Sequence, residues 1–120
     1  MTPDEVSPQS IREEIAREML LVHDEAYGEA SARDAKVYLM DDVALIVIDA
    51  APTTAEQTLI DAGRGDAVCA TREAFQDAIA PTFTAIVERA TGRRVLSFMS
   101  RMSIEPFHSI EFFRLEDTGA

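Results

Sequence analysis

The 120-residue sequence contains one cysteine and no long hydrophobic run. That cysteine, Cys69, has no partner for an intramolecular disulfide, which agrees with a reducing compartment. The longest strictly apolar run is the six residues 43–48, whereas a transmembrane helix needs about 20. The first ten residues, MTPDEVSPQS, are acidic and polar, whereas a signal peptide begins basic and then becomes apolar. We therefore expect a soluble, cytoplasmic protein.

Basic residues are also scarce. The 11 Lys and Arg residues stand against 22 Asp and Glu residues, so the net charge is −11. A charge of this sign and size repels phosphate backbones and anionic lipid surfaces. We therefore expect neither nucleic-acid binding nor direct membrane insertion.

The sequence patterns that mark catalytic and metal sites are missing. There is no glycine-rich phosphate loop after a strand, no Cys-x-x-Cys, no His-x-x-x-His and no serine in a nucleophile-elbow context. Asp41-Asp42 resembles half of a metal site, but no further acids follow at ligand spacing, and a solvated turn is the simpler interpretation. We expect no catalytic residue, no cofactor and no bound metal.

The first half of the chain reads as a helix followed by a β-hairpin. Ser7-Pro8 starts a helix whose apolar stripe ends before Gly28. From Asp34 the pattern alternates, with Lys36, Tyr38 and Met40 on one face. The segment 43–48 is apolar on both faces, which is typical of a strand covered on both sides.

The second half begins with a short helix and a long one. Thr53 to Glu56 form a capping box for the short helix. The long helix extends from Asp66, expected to cap its start, toward a stop at Gly92. Pro81 lies inside it, so we expect either a kink there or two helices meeting at Ala80.

Two more strands complete the pattern, the first with Leu96, Phe98 and Met102 on one face and the last running from His108 to Leu115. The order α-β-β-α-α-β-β predicts an α+β fold of two layers, a four-stranded and mostly antiparallel sheet with helices on one face. We expect one domain over residues 8–115, with a mobile tail at 1–7 and a short tail at 116–120.

Three residues are candidates for contact with a ligand or partner: His23, Arg72 and Arg101. Arg72 lies within the apolar arc of the long helix, so its guanidinium must extend along apolar surface to water, pair with an acid, or line a polar opening. His23 lies between two apolar bands of the first helix, where we expect it to bond to a backbone carbonyl or a nearby acid rather than to act in catalysis.

A homodimer formed through the sheet is also expected. Helices on one sheet face account for only half of the apolar positions in the two strands that are apolar on both sides. The other face would expose a contiguous apolar patch larger than soluble monomers usually show. The residues assigned to this dimer face are Ala44, Ile46 and Ile48, or their alternates along the strand, together with Met99 and Phe112 or its neighbour Phe113.

Taken together, these features resemble the MpsC-like family, whose name links it to a sodium-translocating system that generates a membrane potential. The resemblance covers residues 9–115 and rests on the order and spacing of several short segments. They are Tyr27-Gly28, Val37-Tyr38-Leu39, residues 43–48, Thr53-Thr-Ala-Glu56, Gly63-Arg-Gly65, Arg72, Phe75, Pro81 and residues 91–95. The chain departs from the family pattern at Thr54, where proline is usual, and at Ser31-Ala32-Arg33, where glycine-arginine-glycine is usual.

The resemblance implies a function but no catalytic residues, since the family has none established. It implies a soluble accessory or regulatory component of membrane cation or bicarbonate transport, with transport subunits as possible partners. The alternative is a small-molecule-binding domain or small enzyme that uses a pocket between helices and sheet.

Overall fold

The structure, a computed structural model, describes residues 7–28 and 31–117 of the chain. Residues 1–6 and 118–120, which make up most of the two predicted tails, lie outside the described residues. The elements in chain order are α1 (Pro8–Tyr27), β1 (Ala32–Met40), β2 (Val43–Ala50), α2 (Thr54–Asp61), α3 (Gly65–Ala78), α4 (Ala80–Thr91), β3 (Val95–Ser103) and β4 (His108–Leu115). This order confirms the predicted α+β fold. Of the helices that the structure describes, none combines the length and the apolar character needed to cross a membrane.

The four strands form one antiparallel sheet in the order β1-β2-β4-β3. Helix α1 packs on β1 and α3 packs on β3, and α4 lies against both α1 and β3. Both hairpins therefore share a sheet whose helix-covered face forms the core. The two central strands, β2 and β4, bury every second residue against the helices.

Most helix boundaries lie where the local signals predicted them. The Ser7 hydroxyl accepts a bond from the Ser10 N–H at the start of α1. Thr53 and Glu56 exchange both bonds of a capping box at the start of α2. Gly92 ends α4 with a φ of 70°, in the left-handed region where only glycine is free of steric cost.

Asp66 is not the cap of the long helix, and that prediction was wrong. Helix α3 begins one residue earlier, at Gly65, with Arg64 at the capping position and no side-chain cap bond. Asp66 lies in the first turn, where its carboxylate complements the helix dipole and lies 3.4 Å from the Arg64 guanidinium. Of the two alternatives at Pro81, the structure has two helices, which meet between Ala78 and Ala80.

Of the two sets of residues that the dimer-face prediction left open, the one it named first lies on the wrong side of the sheet. Ala44 and Ile46 are fully buried and Ile48 is 1% exposed, in contact with the helices. The other face of β2 carries their alternates, Val43, Leu45 and Val47. The error has a physical origin: a strand that is apolar on both faces carries no periodic signal for which set meets the helices.

Leu96 is also on the wrong face in the sequence prediction. It is 53% exposed, whereas Phe98 and Met102 of the same strand point into the core side. The pairing of β3 with β4 is irregular between Val95 and Ser97, so an extra residue interrupts the alternation there. Val95 consequently packs against the core cluster.

Candidate functional site

The candidate site is a group of polar side chains buried between α1, α2, α3 and the loop before β1, which we call the arginine cluster. It consists of His23, Tyr27, Ser31, Glu56 and Arg72. Arg72 is 1% exposed although it carries a permanent charge. A buried charge is tolerated only when it is paired and hydrogen-bonded, and the surrounding residues supply those partners.

Glu56 pairs with Arg72 through two parallel bonds. The Nε of Arg72 donates to one carboxylate oxygen at 2.6 Å and its Nη2 donates to the other at 2.6 Å. The same carboxylate accepts the Thr53 N–H at 2.8 Å, so one side chain caps α2 and ties it to α3. Burial alone would raise the pKa of Glu56, but the bonds from Arg72 and Thr53 outweigh it and the pKa is lowered.

The guanidinium of Arg72 makes two further polar contacts and lies close to two aromatic rings. Nη1 lies 3.3 Å from the His23 Nε2, and Nη2 donates to the Ser31 hydroxyl at 3.3 Å. The Arg72 Cζ lies 3.8 Å from the centre of the Tyr27 ring and 4.8 Å from that of Phe107. Both rings add cation–π attraction to the ion pair.

His23 is held in its neutral form. Burial, and then the charge of Arg72, lower its pKa to about 4, with Asp24 and Glu56 opposing the shift. Because Arg72 can only donate, Nε2 of His23 must accept, which places the ring proton on Nδ1. Among the described residues, neither this Nδ1 nor the Tyr27 hydroxyl has a hydrogen-bond partner, although both atoms are buried.

A second group of buried polar side chains lies beside the first, beneath α3. Glu111, on β4, is fully buried, and its Oε1 lies 2.7 Å from the Ser100 hydroxyl on β3. The same hydroxyl lies 2.5 Å from Oε1 of Gln76, one turn after Arg72 on α3. We call Gln76, Ser100, Ser109 and Glu111 the Glu111 cluster. Oε2 of Glu111 has no partner among the described residues.

The Glu111 cluster needs a second proton donor besides the Ser100 hydroxyl. The Ser100 hydroxyl has one proton and faces two acceptor oxygens, so a second proton must come from Glu111 or from a Gln76 amide turned to donate. Burial raises the pKa of Glu111 to about 7, aided by the charge of Asp77 and opposed by the Ser100 and Ser109 hydroxyls. Burial also raises the pKa of Tyr27, opposed by the charge of Arg72 and aided by the charges of Glu56 and Glu111, so the two clusters are coupled electrostatically.

The structure brings together two of the three candidate contact residues. Arg72 and His23 meet in the arginine cluster; of the alternatives for Arg72, pairing with an acid is observed and extension to water is not. His23 bonds to Arg72 rather than to a carbonyl or an acid. Arg101 is exposed on β3, opposite Ile110 on the uncovered sheet face, apart from the other two.

Sequence reasoning missed Glu56, Gln76 and Glu111. Gln76 follows Arg72 by four residues on the buried stripe of α3, and Glu111 alternates with Ser109 and Phe113 on a strand otherwise rich in apolar residues. A polar residue at a position whose periodic neighbours are buried is the signal that could have found them. The partner of Arg72 has no such signal, because Glu56 is 16 residues away and already explained by the capping box.

A cavity of about 310 Å³ opens between α1, α3 and α4, at the low end of volumes typical of ligand pockets. It is lined by Val22, Glu25, Ala26, Phe75, Ile79 and Thr82. Neither Arg72 nor His23 lines it, so it does not converge on the arginine cluster. Within residues 7–28 and 31–117, no three His, Cys, Asp or Glu side chains are grouped to hold a metal ion.

The chain matches the model of a known protein family. The family model described as "Na+-translocating membrane potential-generating system (MpsC)" matches residues 7–117. Neither the curated proteins nor the solved structures include a significant match to the chain.

Proposed function

The chain belongs to the MpsC family, and from this membership we propose that it is a soluble, cytoplasmic, non-catalytic accessory or regulatory component of a membrane cation or bicarbonate transport system that generates a membrane potential. The observation that carries the proposal is the family match, which spans residues 7–117 and so includes both polar clusters and the whole sheet. The partners in this proposal are a second copy of the chain and a subunit of the transport system.

The geometry of the arginine cluster supports a role that is structural rather than catalytic. Each guanidinium nitrogen of Arg72 already has a partner within the protein, and Glu56 bonds to both Arg72 and Thr53. These bonds join α1, α2 and α3, so the cluster fixes how the helices pack. The uncovered sheet face, in contrast, offers apolar side chains such as Tyr38 and Met99 to a partner.

Affinity capture from the native membrane fraction tests the proposal. The tagged chain should enrich an integral membrane subunit of an ion-transport system, identified by mass spectrometry. An excess of untagged protein should abolish the enrichment, which controls for adhesion to the resin or tag. If the captured membrane proteins match those bound by the tag alone, the proposed role is wrong; specific binding of a small molecule in the cavity would then favour the alternative function.

We also predict that the purified protein carries no stoichiometric transition metal. The prediction rests on the lack of His and Cys residues at ligand spacing in the sequence. Metal analysis of protein purified without added metal or chelator should therefore find zinc and iron far below one ion per chain. A ratio near one would contradict it and reopen the question of catalysis.

A further inference from the structure

The uncovered face of the sheet is a regular array of side chains whose positions follow from the strand register. Two rows cross all four strands in the order β1, β2, β4, β3, and they form the centre of this face. The apolar row is Tyr38, Leu45, Phe112 and Met99; the neighbouring row is Lys36, Val47, Ile110 and Arg101. Tyr38 is 47% exposed and Met99 is 59% exposed, so the apolar row reaches both edges of the sheet.

We propose that a second copy of the chain covers this face, with the two-fold axis lying between the two sheets and perpendicular to their strands. Each strand then packs over the same strand of the other copy, β1 on β1 and β3 on β3. This inference rests on the homodimer within the proposed function and is independent of any membrane partner. Sheets pack face to face in the aligned manner of β-sandwiches, about 10 Å apart.

Charge decides between the two possible directions of the axis. An axis parallel to the strands would place β1 over β3 at equal heights, so Lys36 of one copy would oppose Arg101 of the other, twice in each dimer. Like charges placed opposite each other across an interface are costly. An axis that is perpendicular to the strands and passes through the apolar row instead places Lys36 over Met40 and Arg101 over Ser97, which are uncharged.

The area of the face is sufficient for a dimer of moderate stability. Four strands spaced about 4.8 Å apart and eight residues long, at about 3.3 Å each, span roughly 500 Å² in plan. Two copies then bury about 1,000 Å² together, which is near the lower limit for a specific interface. A second copy fits this area because it presents the same apolar row to itself, as a two-fold interface requires. We expect dimers at micromolar concentration that dissociate on dilution.

Light scattering and one substitution test whether the face is the interface. The wild-type chain should have a mass near twice 13.2 kDa at high micromolar concentration. Leu45→Asp, at the centre of the face, should weaken the dimer by about 100-fold or more, because each copy would bury an unpaired charge. Leu21→Asp is the matched control, since Leu21 is 54% exposed on α1 and its change should leave the mass unaltered. If the circular dichroism spectrum shows that Leu45→Asp is unfolded, Met99→Asp, on an edge strand, tests the same interface and should also weaken the dimer.

Crosslinking tests the direction of the axis. In a Cys69→Ser background, Tyr38→Cys and Met99→Cys each place one thiol on an edge strand, and a bismaleimide that can bridge the two sheets joins facing thiols. With the proposed axis, each variant forms a covalent dimer with itself. Crosslinks found only when the two variants are mixed would show β1 over β3 and overturn the axis. A wild-type mass near 13.2 kDa at 100 µM would overturn the dimer itself, while the membrane capture experiment would still test the proposed function.

Discussion

Glu111→Gln should raise the free energy of unfolding by about 3 kcal/mol at pH 8, with little change below pH 4.5. Burial raises the pKa of Glu111 from 4.5 to about 7 in the folded protein, and a shift of one unit corresponds to about 1.4 kcal/mol. Glutamine removes the buried charge, and its amide oxygen can accept from the Ser100 hydroxyl as Oε1 of Glu111 does.

The direction of the pH dependence follows from proton binding to Glu111. Between pH 4.5 and about 7 the folded state keeps a proton on Glu111 that the unfolded state has released, so the stability of the wild type falls as pH rises. Below this window both states are protonated and the residue costs nothing. Above it the penalty is complete, and that is where Glu111→Gln gains most.

His23 works in the opposite direction over an overlapping range. Its pKa falls from 6.5 to about 4 on folding, so protonation favours the unfolded state and stability is lost as pH falls through that range. The wild type should therefore change little in stability between pH 4.5 and 6.5. In Glu111→Gln only the His23 contribution remains, so the free energy of unfolding of this variant should rise with pH in this window.

Denaturant unfolding followed by circular dichroism at several pH values measures both effects. Glu105→Gln is the matched control, because Glu105 is exposed in the turn between β3 and β4 and its change removes a charge without altering a buried site. A difference between Glu111→Gln and the wild type that stays constant from pH 5 to pH 9 would show that Glu111 does not titrate in this range in the folded protein.

The parts of the fold that sequence predicted are those with local causes. The capping box at Thr53, the stop at Gly92 and the break near Pro81 depend on residues within one helical turn of each other. Such signals act on the backbone directly, through a side-chain bond, a positive φ or a missing N–H. The element order, and with it the two-layer fold, followed from them.

The parts that sequence did not predict depend on which surfaces meet. Nothing in the alternation of β2 shows that Ile46 faces the helices and Leu45 does not, because both are apolar. The pairing of Arg72 with Glu56 joins two helices across a loop, and only the packing of α2 on α3 brings them together. The arginine cluster was therefore visible in sequence as one misplaced charge, without its partner.

Replacing Arg72 should also reduce stability strongly, because it breaks the ion pair with Glu56. Because the Arg72 side chain is 1% exposed and that of Glu56 is 14% exposed, Arg72→Met should lower the free energy of unfolding by about 3 kcal/mol, since it leaves a carboxylate mostly buried without its cation. It also removes the bonds to His23 and Ser31 and the contact with the Tyr27 ring. Arg72→Glu places a second acid beside Glu56 and should be more destabilising still.

A double-mutant cycle separates the ion pair from the loss of packing. Glu56→Gln alone leaves a buried guanidinium with weaker partners and should also be strongly destabilising, whereas Arg72→Met combined with Glu56→Gln leaves no unpaired charge and should recover part of the loss. Arg72→Lys keeps the charge but cannot make both parallel bonds, so its stability should lie between the wild type and Arg72→Met. The wild-type pair should also weaken in acid: the pKa of Glu56 is lowered from 4.5 on folding, so its contribution is complete above pH 4.5 and is lost as pH falls below that value. If the costs of the two single changes simply add in the double variant, Arg72 and Glu56 are not coupled, and the arginine cluster is held by packing alone.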